Sequence, residues 1–155
     1  MAGVVLALCS LASASTADVW TEFRDRCLAP MESSLSPVVD GLEYTENPTG
    51  ETDLYYLAPD QSVLLIVSRG DDLDFGPGCT VIRLTDAQNG LGPIGAAMMG
   101  ALAASERYVD VEKASSARFS VQSNDWRMPS LQVHAYPREN GFGPAYFVHE
   151  VPREN

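Results

Sequence analysis

The sequence predicts an α+β domain in which two helices pack on one face of a mainly antiparallel sheet. Three observations lead to this prediction. An apolar stripe with helical spacing lies near the N-terminus, short apolar runs between turn residues fill the middle, and four segments of alternating polarity follow a second helical stretch. A chain of 155 residues suits a single domain with one hydrophobic core.

The first 17 residues have the features of a secretory signal peptide. They carry no charged side chain, they contain an apolar stretch over residues 4–11, and small residues follow it. That stretch is too short to cross a bilayer as a helix. We therefore expect residues 1–17 to be a signal peptide and residues 18–155 to be one exported domain, periplasmic or secreted.

The charge of the chain limits the classes of partner. Ten basic residues against 21 acidic ones give a net charge of −11, which repels nucleic acid and anionic lipid head groups. The longest later apolar run, residues 94–104, is about half the length of a membrane-spanning helix. We expect no nucleic-acid partner, no stable membrane insertion after signal cleavage and no cofactor. The expected partner is an unidentified envelope protein or a small ligand.

Two of the three cysteines are predicted to form a disulfide. Cys9 lies within the predicted signal peptide, which leaves Cys27 and Cys79 in the exported domain. In an oxidising compartment, an even pair of cysteines in a small domain is typically a disulfide. Such a bond closes a long loop and stabilises the fold by about 4 kcal/mol in the chain-entropy model.

Residues 17–31 are predicted to form the first helix. Their apolar residues recur at spacings of three and four, and Pro30 is expected to end the helix. The stripe places Cys27 on the buried side, where it can join the helix to the strand that carries Cys79. The apolar stripe consists of Val19, Trp20, Phe23, Cys27 and Met31.

The middle of the chain is predicted to form strands. Residues 63–67 are a continuous apolar run, which indicates a strand buried on both faces. The turn Pro59-Asp60-Gln61 joins this strand to the one before it, as in a hairpin. The predicted strands are residues 41–44, 54–58, 62–68 and 80–84, with Cys79 at the start of the last.

The second half is predicted to be a helix followed by an antiparallel meander. The helix covers residues 94–108 and is rich in small residues, with Met98, Ala101 and Leu102 facing the sheet. The predicted strands are residues 108–111, 117–121, 131–136 and 145–151.

One local repeat falls in this meander. LQVHAYPREN at residues 131–140 returns as YFVHEVPREN at residues 146–155. Two copies are too few for a repeat architecture. We interpret them as two strands of one hairpin, joined by residues 137–144.

His134 and His149 are the only histidines in the sequence. If Tyr136 opposes Ala145 across the hairpin, His134 opposes Phe147. His149 then lies diagonally opposite His134 on the same face, about 7 Å away. A register shift of one residue places the two rings on opposite faces. Two imidazoles on one face suit a metal ion or a proton-transfer site, and a hydrogen-bonded or solvent-facing pair is the structural alternative.

Two further groups of residues are candidates for binding. Asp71, Asp72 and Asp74 lie in a glycine-flanked loop, and clustered carboxylates suit Ca²⁺, although the spacing is not that of the helix-loop-helix calcium site. Acidic residues of this kind also simply solvate a loop. Trp126 and Arg127 lie in a polar turn, where an aromatic residue either contacts a partner or caps the edge of the core.

These observations favour an exported binding or accessory domain that catalyses no reaction. No nucleophile motif, phosphate-binding loop or dinucleotide-binding pattern is present. The alternatives are a small extracytoplasmic hydrolase or lyase that uses His134 or His149 with a carboxylate, and a calcium-binding protein that uses the aspartate loop.

Overall fold

An antiparallel sheet forms the larger part of the domain. The structure is a computed structural model that describes residues 19–48, 52–70, 76–84, 98, 100–112, 117–121, 130–136 and 145–151. Within these ranges the sheet has eight strands: β1 (Glu43–Thr45), β2 (Leu54–Leu57), β3 (Val63–Ser68), β4 (Gly78–Arg83), β5 (Tyr108–Glu112), β6 (Ala117–Val121), β7 (Leu131–Tyr136) and β8 (Ala145–Glu150).

The strand order is β1-β2-β3-β4-β8-β7-β6-β5, and every neighbouring pair is antiparallel. The sheet therefore consists of two four-stranded meanders that meet where β4 pairs with β8. The predicted α+β class and the predicted meander are confirmed. Strand ends agree with the prediction to within two residues, as is usual for strand boundaries read from sequence.

The predicted N-terminal helix forms, as three consecutive segments. These are α1 (Val19–Phe23), a π-helical stretch (Arg24–Leu28) and α2 (Ala29–Glu32). Pro30 does not end the helix, contrary to the prediction. Proline has no N–H for the carbonyl four residues before it, and that carbonyl, of Arg26, instead accepts a hydrogen bond from the Val38 N–H at 2.8 Å.

The helical segments pack on one side of the sheet, which we call the helix face. Tyr146 of β8 packs there against Trp20 and Phe23, with ring centroids 5.6 and 5.3 Å apart. The Cys27–Cys79 disulfide joins the π-helical stretch to β4 with a Cα–Cα distance of 5.5 Å. The core on this face contains Val19, Trp20, Phe23, Cys27, Leu28, Met31, Leu65, Cys79, Val81, Met98, Leu102, Tyr108, Leu131, Val133, Ala135, Tyr146 and Val148.

The second predicted helix ends earlier than expected. Residues 98 and 100–103 are helical, the chain then turns, and Tyr108 already begins β5. Met98 and Leu102 are buried as predicted, whereas Ala101 is exposed. With about 3.6 residues per turn, a helix that points Met98 and Leu102 at the core turns Ala101 roughly 100° away. Residues 94–97 lie outside the described ranges.

β3 is not buried on both faces, contrary to the prediction. Leu65 is fully buried, whereas Leu64 and Ile66 are only partly covered. Successive side chains of a strand point to opposite faces, and the helical segments that the structure describes pack on the face that carries Leu65. No helix in the described ranges is long and apolar enough to span a membrane.

Candidate functional site

His134 and His149 lie side by side on the face of the sheet opposite the helices. In the β7–β8 pairing, Tyr136 opposes Ala145 and His134 opposes Phe147. His149 is therefore diagonal to His134 on the same face, which is the arrangement derived from the sequence under this register. We call this side of the sheet the histidine face.

The two imidazoles contact each other directly. Their Nε2 atoms are 3.0 Å apart, and the His134 and His149 side chains are only 8% and 2% exposed. The other nitrogen of His149, Nδ1, lies 3.1 Å from the backbone carbonyl oxygen of Glu150. A carbonyl oxygen only accepts, so His149 Nδ1 carries a proton and donates it.

The proton positions of the pair follow from this contact. A neutral His149 with its proton on Nδ1 has a free electron pair on Nε2. His134 must then carry its proton on Nε2 and donate it to His149. The pair is an N–H···N hydrogen bond whose direction is set by the Glu150 carbonyl.

The orientation of the rings favours a hydrogen bond over a shared metal ion. The ring centroids are 5.1 Å apart and the ring planes are inclined by 25°. The centroid distance exceeds the Nε2–Nε2 distance by nearly the diameter of an imidazole ring, so the rings meet edge to edge. A metal ion bound to both Nε2 atoms at about 2.0–2.1 Å would lie beside the line that joins these atoms. Both rings would then have to point toward the metal ion and not toward each other.

Phe147 and Gly78 also lie beside the pair. The Phe147 ring stacks on His149 with a centroid distance of 5.0 Å and an interplanar angle of 20°. Gly78 of β4 opposes His149, and a Cβ built on it would lie 2.9 Å from Phe147 Cε2. Only glycine leaves room for these rings. This contact was not predicted from the sequence, because it depends on the pairing of β4 with β8, which are far apart in the chain.

The internal repeat explains why the same atom of each histidine meets the other. Val133 and Val148 occupy the third position of the two copies, and they oppose each other directly. Antiparallel pairing about that position relates the copies by a local two-fold axis. His134 and His149, at the fourth position, are therefore equivalent and present the same Nε2 to each other.

The other predicted site residues are not among those that the structure describes. Asp71, Asp72, Asp74, Trp126 and Arg127 lie outside the described residues. Glu150 contributes its carbonyl, whereas its side chain belongs to the helix face, as the strand alternation predicts. Among the described residues, no group of three or more His, Cys, Asp or Glu side chains is arranged to hold a metal ion.

A second surface, which was not predicted from the sequence, surrounds Arg26. The Arg26 guanidinium donates to Glu22 Oε2 at 2.6 Å and to the carbonyl oxygens of Val38 and Asp40 at 3.2 and 2.9 Å. These bonds fasten residues 33–42, which we call the Arg26 loop, to the helix. A recess of about 300 Å³ lies between loop and helix, lined by Thr21, Glu22, Asp25, Arg26, Val38 and Asp40.

The Arg26 loop exposes apolar side chains although it is firmly held. Leu35 is 64% exposed and Val38 is 38% exposed, while Val39 and Leu42 pack against the core of the helix face. Tyr44 of the adjoining edge strand β1 is 62% exposed. Tyr44 opposes Tyr56 of β2, and Tyr56 opposes Leu65 of β3. Tyr44 therefore lies on the helix face, against whose core the Arg26 loop also packs.

Comparison with known proteins returned no similar protein. No protein-family model matches the chain, and neither the curated proteins nor the solved structures contain a match to it.

Proposed function

We propose that this protein is an exported, non-enzymatic binding domain and that the Arg26 loop with strand β1 forms its contact surface. The observation that carries the proposal is the loop itself. Arg26 makes four hydrogen bonds to the loop and to Glu22, three through its guanidinium and one through its backbone carbonyl. The loop is thus held in place, and yet it exposes Leu35 and Val38 to solvent. Exposed apolar groups on a preorganised surface bind a partner at low entropic cost.

The charge of the chain supports a partner of particular chemistry. Three of the six side chains around the recess are acidic, and the chain as a whole carries −11. Such a rim attracts basic residues and speeds their approach. The partner that suits this surface is therefore an exported protein or peptide with an apolar segment flanked by Lys or Arg.

The geometry of the histidine pair gives less support to the alternative of a hydrolase or lyase. A general base must reach the proton that it removes, whereas the two Nε2 atoms face each other and both rings are buried. The calcium-binding alternative depends on Asp71, Asp72 and Asp74, which lie outside the described residues.

The test is capture of partners from the extracytoplasmic fraction of the source cells with the full exported domain as bait. We expect a bound protein that Leu35→Glu combined with Tyr44→Glu releases, because two added charges disrupt the apolar surface. Val109→Glu is the matched control, since Val109 is 39% exposed on the opposite edge strand β5. Equal capture by the double variant and the wild type would contradict the proposed surface.

A further inference from the structure

The contact between His134 and His149 has room for one proton. At a nitrogen–nitrogen distance of 3.0 Å, one Nε2 donates and the other accepts. If both Nε2 atoms carried protons, two N–H groups would point at each other at that distance. The hydrogen bond would be lost and the rings would be forced apart.

Protonation of the pair therefore proceeds in two unequal steps. The first added proton turns one ring into an imidazolium and leaves a charge-assisted N–H···N bond in place. The second puts a proton on both Nε2 atoms and two positive charges in a buried site. Such titrations belong to the pair and not to either residue alone.

The positions that directly oppose the pair in the strand register are Gln132, Gly78, Phe147 and Arg118, and none of these residue types carries a carboxyl group. Gln132 opposes His149, and Thr80 of β4 opposes Phe147; neither titrates. Arg118 of β6 opposes His134 in the strand register. Phe147, stacked on His149, is apolar.

We propose that the His134–His149 pair is an acid-sensitive element of the fold, which joins β7 to β8 at neutral pH and separates when both rings become protonated. The geometry that carries it is the head-on Nε2 contact together with the Glu150 carbonyl that fixes its direction. The inference is independent of the proposed contact surface, because the two lie on opposite faces of the sheet.

The expected size of the effect follows from proton counting. In the unfolded chain both imidazoles take up protons near the ordinary histidine pKa of about 6.5. The folded pair accepts fewer, so the unfolded state binds more protons and stability falls as the pH drops below about 6.5. Each proton of difference raises the unfolding equilibrium constant about tenfold per pH unit.

The composition of the chain allows the effect of the histidine pair on stability to be measured separately from that of the carboxyl groups. The chain has two histidines in total, and free carboxyl groups titrate near pH 4. A change of stability between about pH 5.5 and 6.5 therefore reports on this pair. Over that unit the folded pair keeps about one proton, while the unfolded chain goes from about one bound proton toward two. Urea unfolding of the full exported domain should therefore show the unfolding constant rising about threefold in the wild type.

The matched variant is His134→Gln with His149→Gln, which keeps polar side chains but removes both titrating groups. It should show no change over the same interval. An unchanged wild-type unfolding constant between about pH 5.5 and 6.5, or an equal slope in the double variant, would overturn the proposal.

A second measurement uses the wild type alone and does not depend on the variant folding. NMR titration of the two imidazole Cε1–H signals should show two separated steps shared by both rings. Two independent, identical titrations near pH 6.5 would show that the rings do not share a proton, and would overturn the proposal as well.

Discussion

Phe147 lies directly over Gly78, so that a Cβ on this glycine would come within 2.9 Å of Phe147 Cε2 and 3.0 Å of the Val148 carbonyl oxygen. The close approach brings β4 against the strand that carries His149. The seam between the two meanders thus depends on the absence of a side chain at one position.

Replacing Gly78 with alanine should lower the free energy of unfolding by about 1–3 kcal/mol, because the new methyl group overpacks the Phe147 ring and the β8 backbone. Gly100→Ala is the matched control. No atom lies within 4 Å of its Cβ position and its backbone is helical, so alanine there should stabilise by about 0.5–1 kcal/mol. Urea unfolding checks both, and an equal effect of the two substitutions would contradict this account.

Removing the guanidinium of Arg26 should free the Arg26 loop. Arg26→Met keeps the length of the side chain but loses its bonds to Glu22, Val38 and Asp40, and we expect a loss of about 1–2 kcal/mol. Limited proteolysis should then cleave within residues 33–42. Arg24→Met is the control, because the Arg24–Asp25 pair is exposed and such pairs contribute less than about 1 kcal/mol. Equal protection of the loop in both variants would argue against its fastening by Arg26.

Tyr108 should make the fold sensitive to alkali. Burial, and secondly its hydrogen bond to Glu32, raise the pKa of Tyr108 well above its ordinary value. The folded chain therefore keeps this proton where the unfolded chain loses it. The stabilisation is complete below the unfolded pKa of about 10 and is lost as the pH rises further.

The variant Tyr108→Phe should lack this alkaline component, so its unfolding free energy should fall less steeply than that of the wild type above about pH 10. Tyr44→Phe, at an exposed position, should leave the wild-type slope unchanged. Urea unfolding at several alkaline pH values measures the difference. Parallel curves for the wild type and Tyr108→Phe would contradict the predicted role.

The Cys27–Cys79 disulfide should stabilise the domain by about 4 kcal/mol, because it closes a loop across 52 residues. Reduced wild-type protein should unfold at correspondingly lower urea concentration than oxidised protein. Mass spectrometry of the protein isolated from its source cells without reductant should show about 2 Da less than the reduced chain. Two free thiols, Cys27 and Cys79, in that protein would contradict both the bond and the expected oxidising compartment.

Local sequence patterns were sufficient to predict most of the fold. The stripe around Phe23 and the alternation from residue 108 onward each reflect burial on one side of an element, and each forms the predicted type of structure. The continuous run at residues 63–67 also forms the predicted strand, although its two faces are not equally buried. The errors arose where tertiary contacts decide. Pro30 stays within the helix because a distant N–H, of Val38, satisfies the carbonyl that proline leaves without a donor.

The histidine arrangement was predictable from sequence under one register of a local hairpin, in which Tyr136 opposes Ala145, and the structure has this register. The Nε2 contact itself was not, since ring orientation depends on Phe147 and on the carbonyl of Glu150. The surface around Arg26 was also missed. Loop residues such as Leu35 follow no periodic pattern, and an arginine in a helix gives no sign that it will bond a backbone fourteen residues away.

The pairing of Val133 with Val148 gives the β7–β8 hairpin the symmetry of an isologous interface within a single chain. In such an interface each residue meets a surface identical to its own, so a side chain near the axis must be compatible with its own copy. Valine satisfies this by packing, and neutral histidine satisfies it because it both donates and accepts. A lysine or a glutamate placed in both copies at the fourth position would face an identical charge instead.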